Sequence, residues 1–146
     1  MKLKQLSIFL ENAPGRLYEA THALAEAGLN LRSLCICDVS GFGVLRILVS
    51  DLATARRVIM EKQFPARVDD VVAAEIDDTP GSLARVLLPF KETQVNVEYM
   101  YALAGTGTAS GKAVMVFRFS DNDRAIEILQ KNNVKILDAE TFGILG

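Results

Sequence analysis

The sequence contains no tryptophan, one histidine, two cysteines and four prolines. Metal sites in proteins usually need four ligands, and His22, Cys35 and Cys37 are too few to build one. No apolar run approaches the roughly 18 residues that a membrane span needs. The formal net charge of −2 lacks the basic excess that nucleic acids and anionic membranes attract. These absences predict a protein without metal, cofactor, nucleic-acid partner or membrane span, with the cytoplasm as the expected location.

The chain has 146 residues, half of them hydrophobic, which is typical of a globular protein. Cys35 and Cys37 alternate along a predicted strand and therefore point to one side of it. They are expected to be small core residues, and a metal or redox pair is the alternative interpretation. His22 lies within a predicted helix among small residues and is expected at the surface.

Two Pro-Gly pairs, Pro14-Gly15 and Pro80-Gly81, stand 66 residues apart. At this offset Asn30 aligns with Asn96. After a four-residue insertion in the second copy, Ser50-Asp51 aligns with Ser120-Asp121. The chain is therefore an internal repeat of about seventy residues, which predicts two domains, 1–70 and 71–146.

Hydrophobic periodicity predicts the same order of elements, β-α-β-β-α-β, in both copies. The first copy is predicted to contain strand 3–11, helix 14–27, strands 29–39 and 44–50, helix 52–62 and strand 66–72. The second is predicted to contain strand 71–77, helix 80–93, strands 95–104 and 112–119, helix 121–132 and strand 134–142. Asp51 is predicted to cap the helix that follows it. Pro89 is expected to kink or end its helix.

This order predicts an α+β fold of two ferredoxin-like units. Each unit would be an antiparallel sheet with both helices on one face. The first helix would place Leu17, Thr21, Leu24 and Ala27 or Gly28 on its buried face. The fourth strand runs almost directly into the fifth, near residues 69–72, and no Gly- or Ser-rich linker separates the copies. The two units are therefore expected to pack together.

Each Pro-Gly pair stands where a strand gives way to a helix. Proline suits the first turn of a helix, and glycine allows another group to approach the backbone. The helix N-terminus that follows offers unpaired N–H groups, which attract a carboxylate or phosphate. The alternative is a purely structural turn, with Asn12 and Asp78 as capping residues.

The segment "ENAPGRLYEATHALAEAGLNLRSL" resembles the opening of an ACT domain, a small-molecule-sensing module of amino-acid metabolism. The segment "DDTPGSLARVLLPFKETQVNVEYM" resembles a second one. The family pattern is Asn or Asp, any residue, Pro-Gly, any residue and Leu, followed by a helix and then a Gly-apolar-Asn-apolar strand start. The resemblance covers the whole chain and implies a stand-alone tandem ACT protein, similar to modules that regulate phosphoglycerate dehydrogenase, aspartate kinase and acetolactate synthase.

The resemblance implies an amino acid held between two ACT units, with no catalytic residue. It places ligand-binding residues around both Pro-Gly loops and at the asparagines that open the second strands: Asn12, Ala13, Gly15, Arg16, Leu17 and Asn30 in the first copy, and Asp78, Thr79, Gly81, Ser82, Leu83 and Asn96 in the second. Within one unit Asn12 and Asn30 are expected at opposite ends of the sheet. If second strands of two units pair antiparallel, Asn12 approaches Asn96, and Asp78 approaches Asn30. The first of these pockets is preferred because Asp78 would repel a carboxylate.

Other signals are given structural interpretations. The segment 105–113, "GTGTASGKA", fails the phosphate-loop spacing and is predicted to be a hairpin turn or a lid over a pocket. The adjacent pairs Asp69-Asp70 and Asp77-Asp78 are predicted to be turn residues rather than metal ligands. Tyr99 and Tyr101 are predicted to be core aromatics.

Three functions remain open at this point. The first is a non-catalytic amino-acid sensor that works as a homodimer. The second is a regulatory subunit of an amino-acid-metabolism enzyme, like the small subunit of acetolactate synthase, with degenerate pockets. The third is a small enzyme on a ferredoxin-like scaffold, which the sequence disfavours because it offers no nucleophile–base pair.

Overall fold

A computed structural model of the chain describes residues 1–104 and 111–144. Over these residues the chain forms seven antiparallel strands and four α-helices, which confirms the α+β class and the two ferredoxin-like units. The elements are β1 (Leu3–Glu11), α1 (Arg16–Glu26), β2 (Leu31–Val39), β3 (Phe42–Val49), α2 (Leu52–Glu61), β4 (Ala66–Asp77), α3 (Ser82–Leu87), β5 (Val97–Ala104), β6 (Lys112–Phe119), α4 (Asn122–Lys131) and β7 (Lys135–Leu137).

The chain divides into two compact units. The N-terminal unit contains Lys4–Asp69 together with the segment that begins at Ala139. The C-terminal unit contains Asp70–Asp138 together with Met1–Leu3. Each terminal segment thus belongs to the unit formed by the other half of the chain, and the domain limits 1–70 and 71–146 stay a prediction.

The sheet of the N-terminal unit has β2 at its edge, followed by β3 and β1, with β4 beside β1. Alternation along the strands turns Leu6, Ile8 and Leu10 to the same face as Leu45 and Ile47. Both helices pack on this face and bury Ala20, Leu24, Ala55 and Ile59 against it. The prediction that the helices lie on one face is therefore confirmed for this unit.

The C-terminal unit repeats the arrangement, with β5 at the edge, then β6 and β4, and β7 paired with β4. Its core combines Phe117 and Phe119 of β6 with Ala125 and Leu129 of α4. The ring centroids of Phe117 and Phe119 lie 5.1 Å apart. The core therefore has the same position in both units.

Matching hydrogen bonds confirm the repeat in three dimensions. Asp51 and Asp121 each cap a helix, accepting from the backbone N–H of Thr54 and of Arg124 at 3.2 and 3.0 Å. The predicted cap at Asp51 is thus confirmed. Gln63 and Asn133, which align after the four-residue insertion, both have positive φ, 64° and 59°.

Several predicted boundaries are wrong. The predicted strands 66–72 and 71–77 are one strand, β4. The predicted strand 134–142 ends at Leu137, because turns follow in which the N–H groups of Phe142 and Ile144 both donate to the carbonyl of Ala139. Pro89 does end its helix early, as predicted: α3 stops at Leu87 and a 3-10 turn, Leu88–Phe90, follows.

The predicted buried face of the first helix is also partly wrong. The helix begins at Arg16, and its buried residues are Ala20, Ala23 and Leu24. Leu17 is 42% exposed. The helix therefore buries two alanines and Leu24 against the sheet, and its first turn leaves Leu17 accessible to another molecule.

Tyr99 and Tyr101 are not core residues. The register of β5 on β6 shifts between Val97 and Tyr99, which marks a bulge. An extra residue reverses the alternation, so Met100 rather than Tyr99 packs against the helix-side core. The register of β2 on β3 shifts at the aligned place, between Leu31 and Ser33. The bulge is therefore part of the repeat.

Candidate functional site

Both Pro-Gly pairs form type II turns. The N–H of Arg16 donates to the carbonyl of Ala13 at 3.4 Å, and Gly15 has φ 86° and ψ −14°. In the second copy the N–H of Ser82 donates to the carbonyl of Thr79 at 3.2 Å, and Gly81 has φ 84° and ψ −4°. A type II turn favours proline at its second position and requires glycine, or asparagine, at its third. The pair is thus explained by turn geometry just before the helix, and the expectation that proline occupies the first helical turn is wrong.

No side chain caps α1, and Gly15 is its N-cap residue. The N–H of Glu19 donates to the carbonyl of Gly15 at 3.0 Å, but the first-turn N–H groups before it have no intrahelical acceptor. The side chains of Asn12 and Asp78 do not cap the helices, so the capping role that the structural alternative gave them is wrong. The start of α1 is therefore open to an acceptor such as a carboxylate.

The loop that precedes each turn is anchored to the hairpin of its own unit. The N–H of Asn12 donates to the carbonyl of Gly41 at 3.1 Å, and the N–H of Asp78 donates to the carbonyl of Gly111 at 2.8 Å. The loop residues Asn12, Ala13, Asp78 and Thr79 are exposed. The backbone is thus held in place while the side chains face solvent.

The two asparagines predicted to open the second strands lie just before β2 and β5. The N–H of Asn30 donates to the hydroxyl of Ser50 at 3.0 Å, and Asn96 makes the same bond to Ser120 at 2.9 Å. Because β1 and β2 both run antiparallel to β3, Asn12 at the end of β1 and Asn30 at the start of β2 lie at opposite ends of the sheet. One unit therefore does not bring them together, as predicted.

Arg16 is more than a surface charge. Its guanidinium lies over the ring of Phe64, 4.9 Å from the centroid, which is a cation–π distance. One of its nitrogens is 2.8 Å from a carboxylate oxygen of Glu19, and another is 4.0 Å from Glu11. These contacts hold the side chain against its own unit, beside the first Pro-Gly turn.

Ser82, which aligns with Arg16, is 5% exposed. Its hydroxyl lies 2.7 Å from the hydroxyl of Thr79 and accepts a hydrogen bond from Arg85 at 3.1 Å. Arg85 was not predicted as a site residue from the sequence. The sequence does mark this position, because Glu19 of the first copy aligns with Arg85 and the charge is reversed.

The cysteines are free and half-buried, and neither belongs to the core cluster, so their prediction as core residues is wrong. The guanidinium of Arg46 donates to the sulfur of Cys37 at 2.7 Å. Burial raises the pKa of the Cys35 thiol. His22 lies at the surface as predicted, with half of its side chain exposed and its ring stacked on Tyr18.

Residues 1–104 and 111–144 contain no group of three or more His, Cys, Asp or Glu side chains that could hold a metal ion. In the same part of the chain, no helix combines the length and the apolar character needed to cross a membrane. The predicted hairpin turn or lid at 105–113 falls mostly on residues 105–110, which lie outside the described part of the chain.

The fold and the paired turns define a tandem of two small ferredoxin-like modules. The sequence matches the ACT domain pair family over residues 1–144. The chain therefore belongs to the ACT domain pair family, as its resemblance implied, and ACT domains are regulatory modules.

Solved structures agree with this assignment. Protein BT0572 from Bacteroides thetaiotaomicron is 40% identical to this chain, with 99% of this chain and 98% of that protein covered and a TM-score of 0.89. The regulatory subunits of aspartate kinase from Thermus flavus and Thermus thermophilus share the fold, at 17% and 13% identity and TM-scores of 0.62 and 0.60. The Thermus flavus match covers 87% of this chain and 88% of that one, and the Thermus thermophilus match 88% and 90%. No curated protein matches the chain.

Proposed function

We propose that this protein is a non-catalytic regulatory protein that binds an amino acid at its first Pro-Gly loop. Membership of the ACT domain pair family supports the regulatory role. The observation that carries the site is the uncapped start of α1, which stands beside the exposed side chain of Asn12. The helix N–H groups would donate hydrogen bonds to the ligand carboxylate. The Asn12 amide, which both donates and accepts, would bind its ammonium or carboxylate.

The second side of the pocket would come from another ACT unit. Among the described residues β2 pairs with β3 alone, so its outer edge is open. Leu34 and Ile36 on this edge strand are 55% and 47% exposed. We infer that β2 of one chain pairs with β5 of a second copy, which would bring Asn12 towards Asn96 of that copy. The same pairing would bring Asp78 towards Asn30, in a pocket that Asp78 makes less favourable for a carboxylate.

The remaining predicted residues would support the first pocket. Ala13 and Gly15 shape the turn, and the exposed Leu17 offers an apolar contact to the ligand side chain or to the second copy. In the second loop Thr79, Gly81, Ser82 and Leu83 have the aligned positions. They differ in chemistry, since Ser82 replaces Arg16 and is buried.

Thermal unfolding against a panel of amino acids tests this proposal. A ligand at a hundred times its Kd stabilises a protein by about 2.7 kcal/mol, which raises the melting temperature of a chain of this size by about 5–10 °C. We expect one amino acid to give such a shift, with Asn12→Ala and Asn96→Ala abolishing it. The matched change Asp78→Ala in the second loop should leave the shift in place.

A panel without any shift would overturn the stand-alone sensor. The exposed apolar residues of β2 then favour the second function, a regulatory subunit of an amino-acid-metabolism enzyme with degenerate pockets. Affinity capture with the tagged chain, followed by identification of an enzyme lost on Ile36→Lys, would support that function. Catalytic turnover that disappears on changing a single polar residue would instead support an enzyme.

A further inference from the structure

The C-terminal unit contains a solvent-open cleft of about 420 Å³ between the second Pro-Gly turn and the end of α4. This volume is within the range of small-molecule sites. Residues from β4, α3 and β6 line it, together with the turn that leads into β7. All of them lie within residues 70–138, so the cleft belongs to one unit.

Charged side chains surround the cleft with one positive charge in excess. Lys112 forms an ion pair with Asp77, and the ammonium of Lys135 lies 3.9 Å from the carboxylate of Glu75. The Glu75 side chain is 7% exposed. The Lys112 ammonium holds the pKa of Asp77 below its usual range, so this carboxylate is ionised and already paired at neutral pH. Arg85 forms no ion pair with any described residue, so its guanidinium is the cation of the cleft that is not bound directly to a carboxylate.

The guanidinium of Arg85 is held in a defined orientation. Its Nη2 donates to the hydroxyl of the buried Ser82 at 3.1 Å, and Thr79 supports that hydroxyl from 2.7 Å. Its Nη1 lies 3.2 Å from the place where a Cβ on Gly81 would stand. The second Pro-Gly turn thus positions an arginine, and glycine leaves the space that the arginine needs.

The first repeat has no equivalent arrangement, because different residues stand at the aligned positions. Arg16 stands in place of Ser82, and Phe64 in place of Val134. The Arg16 guanidinium packs on the Phe64 ring and pairs with Glu19, which stands in place of Arg85. In the N-terminal unit the arginine beside the turn is paired with a carboxylate and covers an aromatic ring, whereas in the C-terminal unit Arg85 donates to a hydroxyl and forms no ion pair with any described residue.

We propose that this cleft binds a small organic anion through an oxyanion group, carboxylate or phosphate, with Arg85 as the principal contact. The planar guanidinium matches either group bidentately. Asn133 lines the cleft and would offer an amide donor, whereas the amide of Asn132 already donates to the carbonyl of Ile128 at 2.8 Å. This site is separate from the amino-acid site proposed at the first Pro-Gly loop, and it would give the protein a second input.

Isothermal titration of the full chain tests the inference, with inorganic phosphate, glycerol phosphate and succinate as probes and chloride at equal ionic strength as the reference. We expect saturable binding of at least one probe. Comparison of the phosphates with succinate decides which oxyanion is preferred. Arg85→Gln should weaken binding about tenfold or more, because a charged hydrogen-bond partner is lost. The control Arg57→Gln, on an exposed arginine of α2, should have no effect.

A second variant rebuilds the first repeat in the second. Ser82→Arg combined with Arg85→Glu and Val134→Phe should fill the cleft, pair the new arginine with a carboxylate, and abolish binding. Its thermal unfolding would show whether it folds, and Arg85→Gln carries the test if it does not. Binding no stronger than chloride, or unchanged in Arg85→Gln, would overturn the inference. Asn12→Ala should leave anion binding intact and remove the amino-acid response, so each proposal can fail without the other. Loss of both responses in Asn12→Ala would show one site rather than two.

Discussion

Gly15 and Gly81 hold the third position of their type II turns with φ of 86° and 84°. An L-residue with a Cβ is strained in this region by roughly 1–2 kcal/mol. At Gly15 a new Cβ would meet nothing within 4 Å, so Gly15→Ala should cost that backbone strain alone. At Gly81 the Cβ would also meet Arg85, so Gly81→Ala should lower the free energy of unfolding further.

Urea unfolding of both variants measures the difference. Gly81→Ala in an Arg85→Ala background should cost no more than Gly15→Ala, because the displaced guanidinium is then absent. Gly15→Asn serves as the control, since asparagine tolerates positive φ better than alanine. Equal costs for the two alanine variants in the native background would contradict the role assigned to Gly81.

The Pro-Gly pairs also show which properties of single residues can be predicted from the sequence. Their importance was visible from the repetition, and so was their place before a helix. Their turn type was not, because proline fits the first turn of a helix and the second position of a type II turn equally well. Only the hydrogen bond from Arg16 to Ala13, with the positive φ of Gly15, separates the two.

The stability of a single element, the helix α2, depends on its N-cap residue Asp51. The hydroxyl and backbone N–H of Thr54 donate to Asp51 and hold the pKa of its carboxyl below the usual range. A carboxylate whose pKa is lowered by folding contributes its full stabilisation at pH values above its pKa in the unfolded chain, which is about 4. That stabilisation is lost as pH falls through the folded value. Asp51→Ala should therefore lower the melting temperature at pH 7 by about 2–4 °C.

Melting temperatures measured over a range of pH distinguish the hydrogen bonds of the cap from the charge of the Asp51 carboxylate. The difference in melting temperature between the native protein and Asp51→Ala should shrink as the pH falls below about 4. Asp51→Asn keeps an acceptor for the N–H of Thr54 and should lose little stability at pH 7. A difference that stays constant down to pH 2.5, on the order of one unit below the pKa range of aspartate, would refute the assigned pKa direction.

Strand register was the hardest element property to predict. Period-two alternation assigns Tyr99 and Tyr101 to the face of Val97, and this holds only if the strand is regular. The bulge after Val97 inserts one residue and sends both tyrosines to the opposite face. No residue in "NVEYMY" predicts the bulge, because a bulge depends on how two strands pair and not on the composition of one strand.

At the scale of the whole molecule, the open edge of β2 is proposed to carry self-association. Ile36→Lys would place a charge where an apolar side chain meets a second copy, and edge lysines oppose strand pairing. We expect about a tenfold or larger rise in the dimer dissociation constant, with an unchanged circular dichroism spectrum. Sedimentation velocity over a concentration series measures it.

Met60→Lys is the matched control, since Met60 of α2 is similarly exposed, at 58%. Equal dissociation constants for the two variants would show that β2 is not the interface. A monomeric native protein at every concentration would remove the second copy from the proposed amino-acid site. Asn12 would then need its partner residue from within the same chain.

The repeat, the order of elements, the fold class and the family could be predicted from the residues alone, because hydrophobic periodicity and the Pro-Gly spacing are local and occur twice. The sequence also predicted the cap at Asp51 and the early helix end at Pro89, which follow from single residue types. Tertiary structure decided the rest. It joined two predicted strands into β4, shortened β7, and reversed the tyrosines of β5. It also set Arg85 beside a cleft in one repeat, where Arg16 packs on Phe64 in the other. These features depend on side chains that are distant in sequence, and their contacts exist only once the units have folded.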